Sequence, residues 1–274
     1  MFKGFKSDME QKKRKWWVYP VIFLVSQLVA GLLPVVLSKT GMQQNVFGGA
    51  ITLALLVANV LALCLFFCYR PQSITRTSTM AGLKGRGARR TVLAFLLALP
   101  LIFLVNIVQE AFFPNIPDLV GDEMMKDIMF NPLGLLTVAV LGPVCEELLF
   151  RGGVQTCMLR QYPSQGPGMA IAFTAVIFSL IHLNPAQMPA AFILGLVLGF
   201  AYWWTGSLVA PVCIHVFNNS TACVMAFLSP DDDSLIHLIG GTEKAGMLAV
   251  VCFFFLLITL RAVQKETIKG TEKG

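Results

Sequence analysis

Six side chains able to do chemistry stand inside apolar stretches of this 274-residue chain: Glu146, Glu147, Arg151, His182, His215 and Asn219. A charged or strongly polar group in such surroundings is costly, so it is read first as functional. Glu146 and Glu147 lie in Gly142-Pro-Val-Cys-Glu-Glu-Leu-Leu-Phe-Arg151. On a helix, adjacent residues diverge by about 100°, so the two carboxylates face different ways. Glu147 and Arg151 are four apart, with the glutamate N-terminal, which suits an ion pair on one face. Glu146 has no such partner and is left for chemistry, where a carboxylate can serve as general base. The bland alternative is that both glutamates anchor the helix end beside Arg151.

Of the three histidines, His237 falls in a polar stretch and reads as solvated. His182 ends Phe178-Ser-Leu-Ile-His182, and His215 opens His215-Val-Phe-Asn-Asn219. His215 and Asn219 are four apart and project from one face. A single buried histidine is ordinary packing. Two of them, with Asn219 and a glutamate pair, on three separate apolar runs ask for another explanation. Glu146, His182 and His215 are also conceivable zinc ligands, although the chain has no His-Glu-x-x-His and Asn219 is a poor ligand. Cys145 beside Glu146 raises a cysteine nucleophile, but no histidine is near it in sequence, and it reads as a packing residue.

The elements that must hold these groups are membrane helices. The chain is 56% hydrophobic and 13% charged, with mean hydropathy +0.72, whereas a soluble domain carries about a quarter charged residues. A bilayer-spanning helix needs about 20 apolar residues. That rule, with turn residues as punctuation, predicts eight spans near 16–38, 46–69, 92–109, 132–157, 167–184, 187–204, 207–228 and 246–263. Strands are excluded, since no segment alternates with period two and lipid demands closed backbone hydrogen bonding. The first apolar run is too long for a cleavable signal peptide. With the N-terminus placed in the cytoplasm, 18 of the 21 Lys and Arg fall in inner regions, leaving only Lys39, Lys126 and Lys244 outside. The outer connections instead hold Glu110, Asp118, Asp122, Glu123, Asp127, Asp231, Asp232, Asp233 and Glu243. This bias predicts both termini inside. The net charge of +6 is thus a topology signal with some attraction to anionic lipid heads, and not a nucleic-acid surface. Seven cysteines, an odd number lying mostly in apolar runs, argue against a disulfide framework. The stretch Ala111–Asn131 reads as an outer loop with a short surface helix, and Gly195 with Gly199 as a helix-packing face.

Taken in order on successive spans, Glu-Glu-x-x-x-Arg (146–151), Phe-x-x-x-His (178–182) and His-x-x-x-Asn (215–219) resemble the CPBP family, which includes the CAAX prenyl proteases and the bacteriocin-processing or immunity proteins. The resemblance covers residues 130–228, the expected catalytic core of a single membrane domain over 1–274 preceded by a basic cytoplasmic segment, 1–15. It implies an all-α bundle of eight transmembrane helices and a metal-free, cofactor-free glutamic endopeptidase, and the short chain and short loops favour a bacterial plasma membrane. By carry-over, Glu146 activates water, His182 helps hold it, and His215 and Asn219 stabilise the oxyanion. Glu147, Arg151 and Phe178 support them. Partners would be membrane lipids and a peptide or lipidated protein substrate. A zinc-dependent protease, and a non-catalytic immunity or sensor partner keeping the fold, are the rival readings. A transporter would want polar groups throughout the bundle.

Depth sets one condition. If the fourth helix ended at Arg151, Glu146 would lie about 8 Å from its inner end, and His182 about 21 Å along the fifth. The two could not meet. The fourth helix is therefore expected to run on through Leu159 or Arg160, burying Arg151 against Glu147, with the site reached from the cytoplasmic half.

Overall fold

The computed structural model describes residues 15–38, 44–70, 85–113, 115–117, 119, 128–228 and 234–271. Among them the chain is all-α, with no strand. The long helices are α1 (Val18–Ser38), α2 (Gln44–Tyr69), α3 (Gly85–Phe112), α4 (Pro132–Gln161), α5 (Gly166–Leu180), α6 (Met188–Thr205), α7 (Val209–Leu228) and α8 (Thr242–Thr271). Six of them, α2, α3, α4, α6, α7 and α8, are long and apolar enough to cross a bilayer. Side chains such as Leu28, Val60, Val251, Phe254 and Ile258 are exposed on the outside of the bundle, where lipid would cover them. The protein is a multi-pass membrane protein. α5 has only 15 residues, about 22 Å at 1.5 Å per residue against a hydrocarbon core of about 30 Å. The basic segment as far as Arg14 and most of the stretch between Phe113 and Ile128 lie outside the described residues.

α4 is the helix that carries the glutamates, and its start is strongly specified. Asn131 caps it, its side chain accepting from the N–H groups of Leu133 and Gly134, and Pro132 follows as a residue that needs no N–H there. A Cβ on Gly134 would meet the Ile128 carbonyl oxygen at 2.0 Å, so only glycine fits. The helix then changes winding twice. Thr137–Leu141 and Leu148–Gln155 are π-helical, and Glu146 and Glu147 sit on the α-helical stretch Gly142–Glu147 between them. Such wide turns frequently occur at functional sites. α4 ends at Gln161, well past Arg151, as the depth argument requires. Glu146 thereby stands about 21 Å from one end of the helix and about 22 Å from the other.

The half of the bundle that holds the C-terminal part of α4 is filled. Tyr19, Phe66, Leu149, Phe150, Val154, Cys157 and Met158 form one buried cluster between α1, α2 and α4. Gly153 lies against the Tyr19 ring so closely that a Cβ would come within 2.4 Å. A second cluster joins α3, α6, α7 and α8 around Leu97, Leu198, Trp204, Ile214 and Val263. Arg90 Nη1 donates to the Trp204 carbonyl at 3.1 Å, and Trp204 Nε1 donates to Thr267 at 2.9 Å, tying α3, α6 and α8 together.

Candidate active site

Glu147 and Arg151, four residues apart on α4, form the expected ion pair, with Arg151 Nη1 2.8 Å from Glu147 Oε1 and both side chains fully buried. The guanidinium is held from two further sides. Its Nη2 donates to the Gly195 carbonyl of α6 at 3.2 Å, and its Cζ lies 4.6 Å from the centroid of the Phe178 ring on α5. One turn on, Gln155 Nε2 donates to the Gly199 carbonyl at 2.8 Å. The glycine pair read as a packing face is therefore also the receptacle for two polar side chains of α4. A Cβ on Gly195 would stand 3.0 Å from Ala175, and one on Gly199 3.2 Å from Gln155 Oε1.

His215 adds a bond that sequence reasoning did not supply. Its Nδ1 lies 2.8 Å from Glu147 Oε1, so one carboxylate oxygen bridges Arg151 on its own helix and His215 on α7. A carboxylate oxygen that takes a guanidinium proton is an acceptor, so the Nδ1 atom carries the hydrogen. That leaves His215 Nε2 on the side of Glu146, whose Oε2 is 3.8 Å away, beyond a hydrogen bond. Glu147 is thus an orienter of the histidine as well as half of a scaffold pair.

His182 does not stand inside a helix. α5 ends at Leu180, and His182 follows in a turn whose next residue, Leu183, has φ of 52°. The stop is local: Pro185 disfavours helix before it, and the Asn184 side chain accepts from the Ala186 N–H at 3.3 Å and the Leu119 N–H at 3.2 Å. His182 is nonetheless fixed. Its Nδ1 lies 2.7 Å from the Phe178 carbonyl, and the rings of Phe178 and His182 meet edge to face at 4.9 Å. A carbonyl only accepts, so Nδ1 is again a protonated atom, and in the neutral ring Nε2 is then the acceptor. Phe178 also meets His215 edge to face at 5.7 Å, which makes it the common wall of both imidazoles.

Asn219 owes its position to a proline. Pro143 has no N–H, so a carbonyl in the preceding turn of α4 loses its donor. Asn219 Nδ2 donates to the Val138 carbonyl in that turn at 3.1 Å, a repair by a neighbouring helix of the kind lipid requires. Its Oδ1 accepts from Asn218 Nδ2 at 3.1 Å. One N–H of the Asn219 amide remains for other work.

Glu146, His182, His215 and Asn219 all line a single cavity of about 800 Å³, large enough for a small ligand or a stretch of peptide. The cavity lies beside the N-terminal half of α4 and reaches Glu110, Gln187 and Ser234 at that end of the bundle. Access from the half containing Arg151 is corrected by this finding, because that half is occupied by the Tyr19, Phe66, Phe150 and Met158 cluster. Asn59, Asn106, Gln109 and Asn218 also line the cavity and were not singled out from the sequence. Asn59, Asn106 and Asn218 stand within apolar spans, so the rule that flagged the histidines would have found them. Among the described residues no group of three His, Cys, Asp or Glu side chains is placed to hold a metal ion. Cys145 is buried, and its thiol faces the Asn59 carbonyl at 3.8 Å.

Comparisons with known proteins match the part of the chain that carries these residues. Residues 129–221 match a family described as type II CAAX prenyl endopeptidase Rce1-like. The matched segment contains all three motifs. The chain is 28% identical over 103 residues to the membrane-embedded CAAX protease MroQ of Staphylococcus aureus (strain USA300), a match spanning 36% of this chain and 42% of that relative. The chain therefore covers less than half the length of that relative. No solved structure matches it. The three motifs that meet at one cavity thus all lie within the segment that is similar to the Rce1-like CAAX prenyl endopeptidases.

Proposed function

We propose that the chain is an intramembrane endopeptidase of the glutamic type, an eight-span bundle with both termini cytoplasmic. The observation that carries the reading is the convergence of Glu146, His182, His215 and Asn219 on one cavity. Glu146 is the general base. It is only 17% exposed, and among the described residues it makes no hydrogen bond that would occupy its carboxylate. It takes a proton from a water whose oxygen attacks the scissile carbonyl carbon. The bare Nε2 of His182 accepts the second hydrogen of that water and orients it. The remaining Asn219 N–H and His215 Nε2 face the oxyanion that forms. His215 can donate there only while both ring nitrogens carry hydrogen, the Nδ1 hydrogen being held by Glu147. As the C–N bond breaks, protonated Glu146 returns its proton to the leaving amine. The substrate class is a peptide or lipidated protein held at the membrane, and no cofactor is required.

The test is comparative peptidomics of membranes carrying the wild-type chain or the Glu146→Gln variant. Peptides cut only by the wild type are expected. Identical peptide profiles would leave the non-catalytic partner reading in its place.

A further inference from the structure

The geometry points to a site that takes its substrate from the extracytoplasmic leaflet, an inference that rests on the endopeptidase reading above. Two independent observations carry it. The first is charge. Lys15, Arg70, Arg89, Arg90, Arg160 and Lys265 lie at or near the helix ends on one side of the bundle: the starts of α1 and α3 and the ends of α2, α4 and α8. Glu110 and Glu243 lie on the other side, with Lys244 beside Glu243, and the chain between those helix ends also carries Asp118, Asp122, Glu123, Asp127 and Asp231 to Asp233 in sequence. Lys and Arg bias places the first side in the cytoplasm.

The second observation is the position of the cavity along the helix axes. It is bounded by residues 51–59 of α2, 101–110 of α3, 137–146 of α4 and 190–197 of α6. α2, α4 and α6 run from the acidic side to the basic side, and α3 runs the opposite way. The α3 and α4 sets fall wholly in the acidic half, and the α2 and α6 sets extend from it only just past mid-helix, at Asn59 and Val197. No lining residue comes from 147–181 or 198–214, the segments that pack the basic half. Ala186 and Gln187, in the connection between α5 and α6, stand at the acidic edge of the cavity.

A substrate reaching Glu146 thus comes from the acidic side of the bundle. Its chemical class is a peptide segment of a membrane-tethered or exported protein, cut on its extracytoplasmic side. A C-terminal tail finished in the cytoplasm would meet the filled half of the bundle.

The experiment uses single substitutions in the full chain, expressed in host cells that have no outer membrane, with a membrane-impermeant maleimide as probe. Labelling of the parent chain serves as the blank. Ala186→Cys at the cavity edge and Ser164→Cys in the connection between α4 and α5 are compared before and after permeabilisation. Labelling of Ala186→Cys in intact cells, with Ser164→Cys labelled only after permeabilisation, is the expected result. The reverse pattern overturns the inference. A second arm maps the Glu146-dependent peptides of the wild-type chain onto their parent proteins. Cuts on extracytoplasmic segments support the inference, and cuts on cytoplasmic segments overturn it. If no Glu146-dependent peptide exists, the endopeptidase reading fails, and the labelling arm still decides which side the cavity faces.

Discussion

At the residue scale, the two adjacent glutamates stand in different surroundings. Glu147 is fully buried and shared by Arg151 and His215, whereas Glu146 is partly exposed on the cavity. Removing one partner of a buried ion pair leaves an uncompensated charge, at a cost of about 3–5 kcal/mol. Glu147→Gln should therefore lower both the thermal unfolding midpoint in detergent and the activity. Glu146→Gln should leave the midpoint close to wild type while cutting turnover about 10²–10⁴-fold, the usual contribution of a general base. A Glu146→Gln chain that loses stability as badly as Glu147→Gln would reassign Glu146 to scaffolding. Asn219 should show both effects. In the proposed mechanism its loss removes an oxyanion donor, worth about 10²–10³ in rate, and it deprives the Val138 carbonyl of a donor, at about 1–3 kcal/mol.

At the element scale, α4 is organised by its interruptions. Pro143 removes a backbone donor, and Asn219 of α7 compensates at Val138. The two residues should be coupled. In a double-mutant cycle, Asn219→Ala should cost less stability in a Pro143→Ala background, by about 1 kcal/mol, because alanine restores an N–H. Additive effects would mean that the amide and the proline act independently. The close approach of Gly153 to Tyr19 gives a second test. Gly153→Ala should destabilise by about 1–3 kcal/mol through overpacking, read as a lower unfolding midpoint. Much of α4 was legible beforehand. The i, i+4 spacing gave the Glu147–Arg151 pair, and the depth mismatch between Glu146 and His182 required a helix running past Arg151. The π-helical turns left no such signal, since they arise from packing against neighbours and from Pro143 rather than from periodicity. The end of α5 was overrun because Ile181 and His182 continue an apolar pattern. Leu183 at φ 52° and the Asn184 side-chain bonds end it first.

At the scale of the whole molecule, ordered motifs on separate runs were enough to bring Glu146, His182, His215 and Asn219 to one cavity. The bond between His215 and Glu147 and the side on which the cavity lies were not legible. Both depend on how α4, α6 and α7 pack, which one sequence does not encode in its spacing. The sequence reading confined polar groups to three spans. The structure adds Asn59 from α2 and Asn106 from α3, so the cavity is walled by more of the bundle than those motifs occupy. A metal-free mechanism predicts that strong chelators leave cleavage unchanged in purified, lipid-reconstituted protein, and loss of activity restored by zinc would favour the zinc reading. The most direct measurement is the peptide profile of membranes carrying wild type, Glu146→Gln or His182→Ala at matched expression. The account predicts cleavage products present with wild type and absent with both variants. Products that persist in either variant at wild-type levels would contradict it.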